Sequence, residues 1–224
     1  MRLPTLAAIV PVATLIIAAL AGNARAQECG MGAVDWYGAE RANVARADEL
    51  LKAGEPKKAA ALLQKMWPEI HDAVPVAGSI PVIADGVRLM ALAVVRADGD
   101  VPFAAGWSSW TAGERARNVA WGVRRLRMLT KADPTDTIAR TDLGEALSRS
   151  PETREEAGTI LEALDTAHAM GSAEGYAALA LVRSENGDAV GAEAASDLCE
   201  RRASSIAQCT ALGARVTPAV TAAR

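Results

Sequence analysis

The chain has 224 residues, half of them hydrophobic, with 24 Lys and Arg against 27 Asp and Glu for a formal charge of −3. That length suits one domain with a real core, or one short solenoid. A mildly acidic chain is not built as a whole to hold nucleic acid or an anionic membrane, so no nucleic acid is expected among its partners.

Arg2 is followed by an apolar run from Leu3 to Gly22, and Asn23-Ala24-Arg25-Ala26 supplies a small-x-small cleavage pattern. Residues 1–26 therefore read as a secretory signal peptide. The rival is an uncleaved anchor, since about 20 apolar residues can span a bilayer. Pro4, Pro11 and the alanine-rich composition argue against a permanent span, and Ala24 with Ala26 argues for cleavage. The domain that remains is 27–224, and the loss of Arg2 and Arg25 takes its formal charge to −5. A periplasmic or fully secreted location follows from the leader.

Asp35 can cap a helix through Trp36, Val44, Ala47, Leu50 and Leu51, closed by Gly54. Pro56 suits the first position of the next helix, where its missing N–H is no loss. Ala59, Leu62, Leu63 and Met66 then line one face, until Pro68 ends the helix. Pro75, Ser79 and Pro81 mark a connection, and Val82 to Ala97 reads as a helix apolar on several sides. Asp98-Gly99-Asp100 and Pro102 end it, opening a loop insertion near 98–112. Thr111-Ala112-Gly113-Glu114 is a capping box that starts a helix to Lys131, which Asp133-Pro134 closes. Beyond it, Ser150-Pro151-Glu152, Gly171-Ser172-Ala173 and Asn186-Gly187-Asp188 each open a further helix.

Small residues recur where helices must come close. Gly54 precedes Ala59 by five residues, Gly187 precedes Ala192 by the same offset, and Leu143-Gly144 stands with Leu147. In these positions the chain resembles a degenerate tetratricopeptide repeat, and Ala157 to Ala180, with Gly171, Leu179 and Ala180, resembles the related Sel1-like variety. Most aromatic positions of the consensus are filled by Leu, Arg or Asn. The spacing is uneven: Ala59 to Ala157 is 98 residues and Ala157 to Ala192 is 35, against a period of about 34. The resemblance implies protein–protein binding.

Helix 114–131 carries six basic residues against Glu114 alone. Ala116, Val119, Val123 and Leu126 form its apolar stripe, while Arg117, Arg124, Arg127 and Lys131 gather on a second one bordered by Trp121 and Met128. Arg grips carboxylates bidentately and stacks on Trp, so this face is a candidate partner-binding surface. The structural alternative is a solvated face, or ion pairs with Glu152, Glu155, Glu156 and Glu162 of the next hairpin. Trp107 and Trp110, with Phe103 nearby, form a second candidate contact surface in the insertion, or else a plug against the scaffold.

Three cysteines in an exported chain predict one disulfide and one spare thiol. Cys199 and Cys209 would lie about 15 Å apart in one continuous helix, too far to bridge. A turn at Ala203-Ser204-Ser205, with Ser204 as a cap, would face them across a hairpin and leave Cys29 spare, the alternative being three isolated thiols.

No catalytic, cofactor-binding or metal-ligating signature appears. His71 and His168 fall in different hairpins, and neither stands in a ligand pattern. Gly106-Trp107-Ser108-Ser109 is not a nucleophile elbow, and Glu155-Glu156 points to different helical faces. The expected fold is all-α, a short antiparallel helix-hairpin solenoid of seven to nine helices. The expected function is a non-enzymatic exported scaffold or adaptor for a protein or peptide partner, with no cofactor. Two alternatives stay open: an envelope module binding an anionic polysaccharide, and an enzyme or enzyme accessory.

Overall fold

Four helix hairpins follow one another along the computed structural model, which describes residues 37–76, 78–101, 109 and 111–213. They are α1 (Gly38–Lys52) with α2 (Pro56–Met66), α3 (Pro81–Arg96) with α4 (Ala112–Ala132), α5 (Thr137–Ser148) with α6 (Arg154–Thr166), and α7 (Ala173–Glu185) with α8 (Ala189–Arg202). A short ninth helix, α9 (Ala207–Gly213), completes the order, and there is no strand among the described residues. The chain divides between Asp35 and Trp36, and every described residue belongs to the second part. The signal-peptide expectation for 1–26, the predicted cap Asp35, the spare Cys29, and Trp36, Trp107 and Trp110 all lie outside the described residues. Among the described residues, no helix is long and apolar enough to cross a membrane.

The helix boundaries follow from local chemistry. Gly54 (φ 76) and Gly187 (φ 82) take left-handed turns between the helices of the first and fourth hairpins. Pro56 opens α2 as predicted, and Pro81 also opens a helix, α3, although it reads as part of the connection. Thr111 and Glu114 form both halves of a capping box on α4. The side chains of Asp136, Ser172 and Asp188 cap α5, α7 and α8 by accepting from free backbone N–H groups. Ser150-Pro151-Glu152 does not open α6 directly; a 3-10 turn at Pro151–Thr153 intervenes before Arg154.

The first helices of the hairpins, α1, α3, α5 and α7, pack side by side in chain order. The second helices α2, α4 and α6 each pack on their own first helix and on the next one along. This is the arrangement in which each hairpin buries its apolar face mainly on the next one along. Helices α3 and α7 sit inside the stack, and Val87 to Val95 of α3 shows the all-round burial that its composition predicts, apart from Arg88.

The uneven spacing has a simple source. At Gly122 an added Cβ would stand 2.9 Å from the Ala91 carbonyl oxygen and from Val95 Cγ2, so α4 meets α3 at this glycine. Gly122, Ala157 and Ala192 are then spaced 35 and 35 residues apart, on α4, α6 and α8, and all three are buried. The middle hairpin was hidden because it uses Gly where the others use Ala. Only the step from Ala59 to Gly122 is long, stretched by the connections 67–80 and 97–111.

Candidate functional site

Helix α4 separates its basic residues into two populations. Arg117, Arg124 and Lys131 are exposed, and none makes an ion pair or hydrogen bond among the described residues. They recur every seven residues, so they stand in one row about 10.5 Å apart along the axis. Gly113, Ala116 and Ala120 are also exposed beside the start of the row, leaving it unshielded by bulky neighbours.

The remaining members of the predicted stripe do different work. Arg127 is exposed but reaches Glu156 of α6 at 2.5 Å, the cross-hairpin pairing weighed as the structural alternative. Trp121 corrects the sequence reading: it is 3% exposed, and its indole N–H donates to the His71 carbonyl oxygen at 3.0 Å. The reason is helical phase. The buried face of α4 runs through Asn118, Trp121, Gly122 and Leu126, so Ala116 is exposed where an apolar stripe was expected and Trp121 turns inward. Arg125 goes with it, lying 5.7 Å over the Trp121 ring and donating to the same His71 carbonyl oxygen. Burial, then the neighbouring Arg124, holds the Arg125 pKa below its ordinary value.

A second constellation was not found from the sequence. Along the face built by α1, α3, α5 and α7, three buried carboxylates, Asp142, Glu145 and Glu174, gather with the part-buried arginines Arg88, Arg96 and Arg149. Arg88 donates to Asp142 at 2.6 Å. Arg96 grips Glu145 with two bonds of 2.8 and 2.7 Å, and donates to Glu174 at 3.0 Å. Arg149 stands 3.7 Å from both Glu145 and Asp98. Burial pushes the Asp142 carboxyl up to about 6, with Arg88 pulling against it and Glu145 reinforcing it. Burial also pushes Glu145 up, but Arg96 and Arg149 outweigh it and leave that carboxyl below its ordinary value. Arg96 is raised, because its two carboxylate partners outweigh burial. The signal was present in charged residues at helical positions of otherwise apolar segments, but charge in a repeat helix reads by default as solvated face.

The inner cluster ends on α9. Gln208 donates to Glu174 at 3.1 Å, while its carbonyl oxygen accepts from the backbone N–H groups of Ser204 and Ser205. Cys199 and Cys209 are joined by a disulfide across the turn that follows α8. The turn falls where the sequence placed it, but Gln208 rather than Ser204 supplies the capping interactions.

No family model, curated protein or solved structure matches this chain. His71 sits on the connection after α2 and His168 follows α6, so the structure leaves them in separate hairpins. Among the described residues, no three His, Cys, Asp or Glu side chains converge as a metal site. Chemically, the row on α4 can hold carboxylates or other anions, whereas the carboxylates of the inner cluster already hold arginine partners from within.

Proposed function

We propose that the protein is an exported, non-enzymatic scaffold that holds an acidic protein or peptide segment along α4. One observation carries this reading: Arg117, Arg124 and Lys131 stand exposed and unpaired in a row on a chain of net negative charge. Arg154 and Arg183 are matched, by Glu185 and by Glu162 with Asp165; Arg201 on α8 is also exposed without an ion pair, but it does not belong to a row. An unmatched row repels its own members and gains from an anionic partner. The likeness to tetratricopeptide and Sel1-like repeats supports the binding role through Gly54 with Ala59, Gly187 with Ala192, and the 35-residue steps from Gly122 to Ala192. Fold likeness alone warrants little about function, so the row bears the weight. The leader-like residues 1–26 and the disulfide support export into an oxidising compartment.

The test is binding of a poly-glutamate peptide to the wild-type chain and to a triple variant, Arg117→Glu with Arg124→Glu and Lys131→Glu. Three exposed contacts of about 0.5 kcal/mol each make about a tenfold difference in affinity, larger with reversal. Wild-type binding weakens with added salt, as screening requires. Arg127→Glu alone costs less, because Arg127 is already engaged by Glu156. Equal binding by wild type and triple variant, with helical circular dichroism unchanged, would refute the assignment. A polyuronate held more tightly than the peptide would pass the row to an anionic polysaccharide.

A further inference from the structure

Helix α9 differs from the other eight in what holds it. It has seven residues, too few for a helix to persist by itself in water. Among the side chains of residues 204–210, the largest apolar one, Ile206, is 81% exposed, and the segment's buried contacts are small or polar. Ser205 Oγ donates to the Lys52 carbonyl oxygen at the end of α1, 153 residues away. Ala207 sits so near the first interhelix turn that a Cβ on Gly54 would stand 3.0 Å from its own Cβ. Gln208 reaches Glu174. Together Ala207 and Gln208 form one wall of a cavity of about 90 Å³, whose other walls include Leu51, Gly54, Arg96, Glu145 and Glu174. The covalent tie is Cys199–Cys209, ten residues apart.

We infer that α9 is a disulfide-held clasp that closes the inner face over Arg96, Glu145 and Glu174, and that a dithiol reductant opens it. The sulfurs are approachable. Cys199 is buried, but Cys209 is half-buried, and both border an opening of about 620 Å³ between α7, α8 and α9. A thiolate of the reductant attacks Cys209 Sγ, the S–S bond breaks, and Cys199 leaves as a thiolate that takes up a proton. The second thiol of the reductant then attacks the mixed disulfide and releases Cys209. Two electrons and two protons pass to the protein, and the reductant leaves as its own disulfide. Without the tie, a short helix anchored by Ser205, Ala207 and Gln208 leaves the Glu174 carboxylate facing solvent. The clasp is independent of the basic row on α4.

The experiment is amide hydrogen exchange on the full chain, oxidised and in dithiothreitol. Reduction raises exchange across residues 203–213 by about tenfold or more, the signature of local opening, and leaves α5 and α6 unchanged. Cys209→Ser shows the open pattern without reductant and ignores dithiothreitol. In the same variant, carbodiimide with an amine labels Glu174, which the oxidised wild type protects. Unchanged exchange in 203–213 on reduction, or an unlabelled Glu174 in Cys209→Ser, would overturn the clasp. So would loss of protection through all the hairpins, since the bond would then staple the whole fold.

Discussion

Arg96 is the side chain on which most of the buried charge depends. It satisfies both oxygens of Glu145, one of Glu174, and lies 3.4 Å from the Leu51 carbonyl oxygen, so one guanidinium joins α1, α3, α5 and α7. A buried pair of this kind is a weak source of net stability, but removing one partner leaves the other as an uncompensated charge. Arg96→Ala is therefore expected to cost about 3–5 kcal/mol, read from the midpoint of urea unfolding. Arg96→Lys keeps the charge but not the planar fork and is also destabilising. Asp142 governs a pH effect of opposite sign to the usual carboxylate. Its pKa rises from 3.8 to about 6 on folding, so between those values the native chain holds a proton that the unfolded chain has lost. The contribution of Asp142 to stability consequently falls as pH rises from 4 to 6. The groups around it are Arg88 and Arg96 from α3, Glu145 from α5, and Asp48, Lys52 and Glu174, which share its cavity wall. Asp142→Asn is expected to lose stability at every pH because Arg88 loses its buried charged partner and keeps only the exposed Asp85 at 3.8 Å, yet to lack that decline between pH 4 and 6. Unfolding midpoints of both chains across this range check it; parallel curves would refute the sign.

At the level of elements, the sequence was legible where local chemistry acts alone. Thr111 with Glu114, Pro56, Ser172 and Asp188 mark helix starts through backbone hydrogen bonding that needs no tertiary contact. The turn between Cys199 and Cys209 was legible from the spacing that a disulfide requires, whereas its capping group, Gln208, was not. What stayed hidden depends on helical phase and on partners distant in sequence. Trp121 and Ala116 exchange surface for core through a small rotation of α4, and the ion pairs of Arg88 and Arg96 join residues about fifty positions apart. Gly122 was missed because a glycine inside a helix reads as a weak spot rather than a contact. It supplies a sharp test. Gly122→Ala raises intrinsic helix propensity by about 1 kcal/mol, but its Cβ would press the Ala91 carbonyl and Val95 at 2.9 Å. Overpacking of this sort costs about 1–3 kcal/mol, so the net change is destabilising. Gly113→Ala, on the same helix with open space around it, is neutral or stabilising. Thermal unfolding of the two variants separates propensity from packing.

An open solenoid stabilises each repeat only through its neighbours, so its end repeats fray first. Here the two ends of the described fold meet: Ser205 binds the Lys52 carbonyl and Ala207 packs on Gly54, although α1 and α9 stand at opposite ends of the chain order. The disulfide keeps α9 in position to make that contact, and closing a loop of this size contributes about 2.7 kcal/mol in the chain-entropy account. The first hairpin is thereby supported from both sides: by α3 through packing, and by α9 through the closure. Truncation after Arg202 removes the closure and leaves the four hairpins intact. In the truncated chain, native-state hydrogen exchange is expected to show α1 and α2 losing protection ahead of α5 to α7, as a terminal repeat does. In the oxidised full chain the same two helices exchange with the rest, because opening them also breaks contacts with α9. Equal protection of α1 and α2 in both chains would show that packing on α3 alone fixes the first hairpin, and that the meeting of the ends adds nothing to cooperativity.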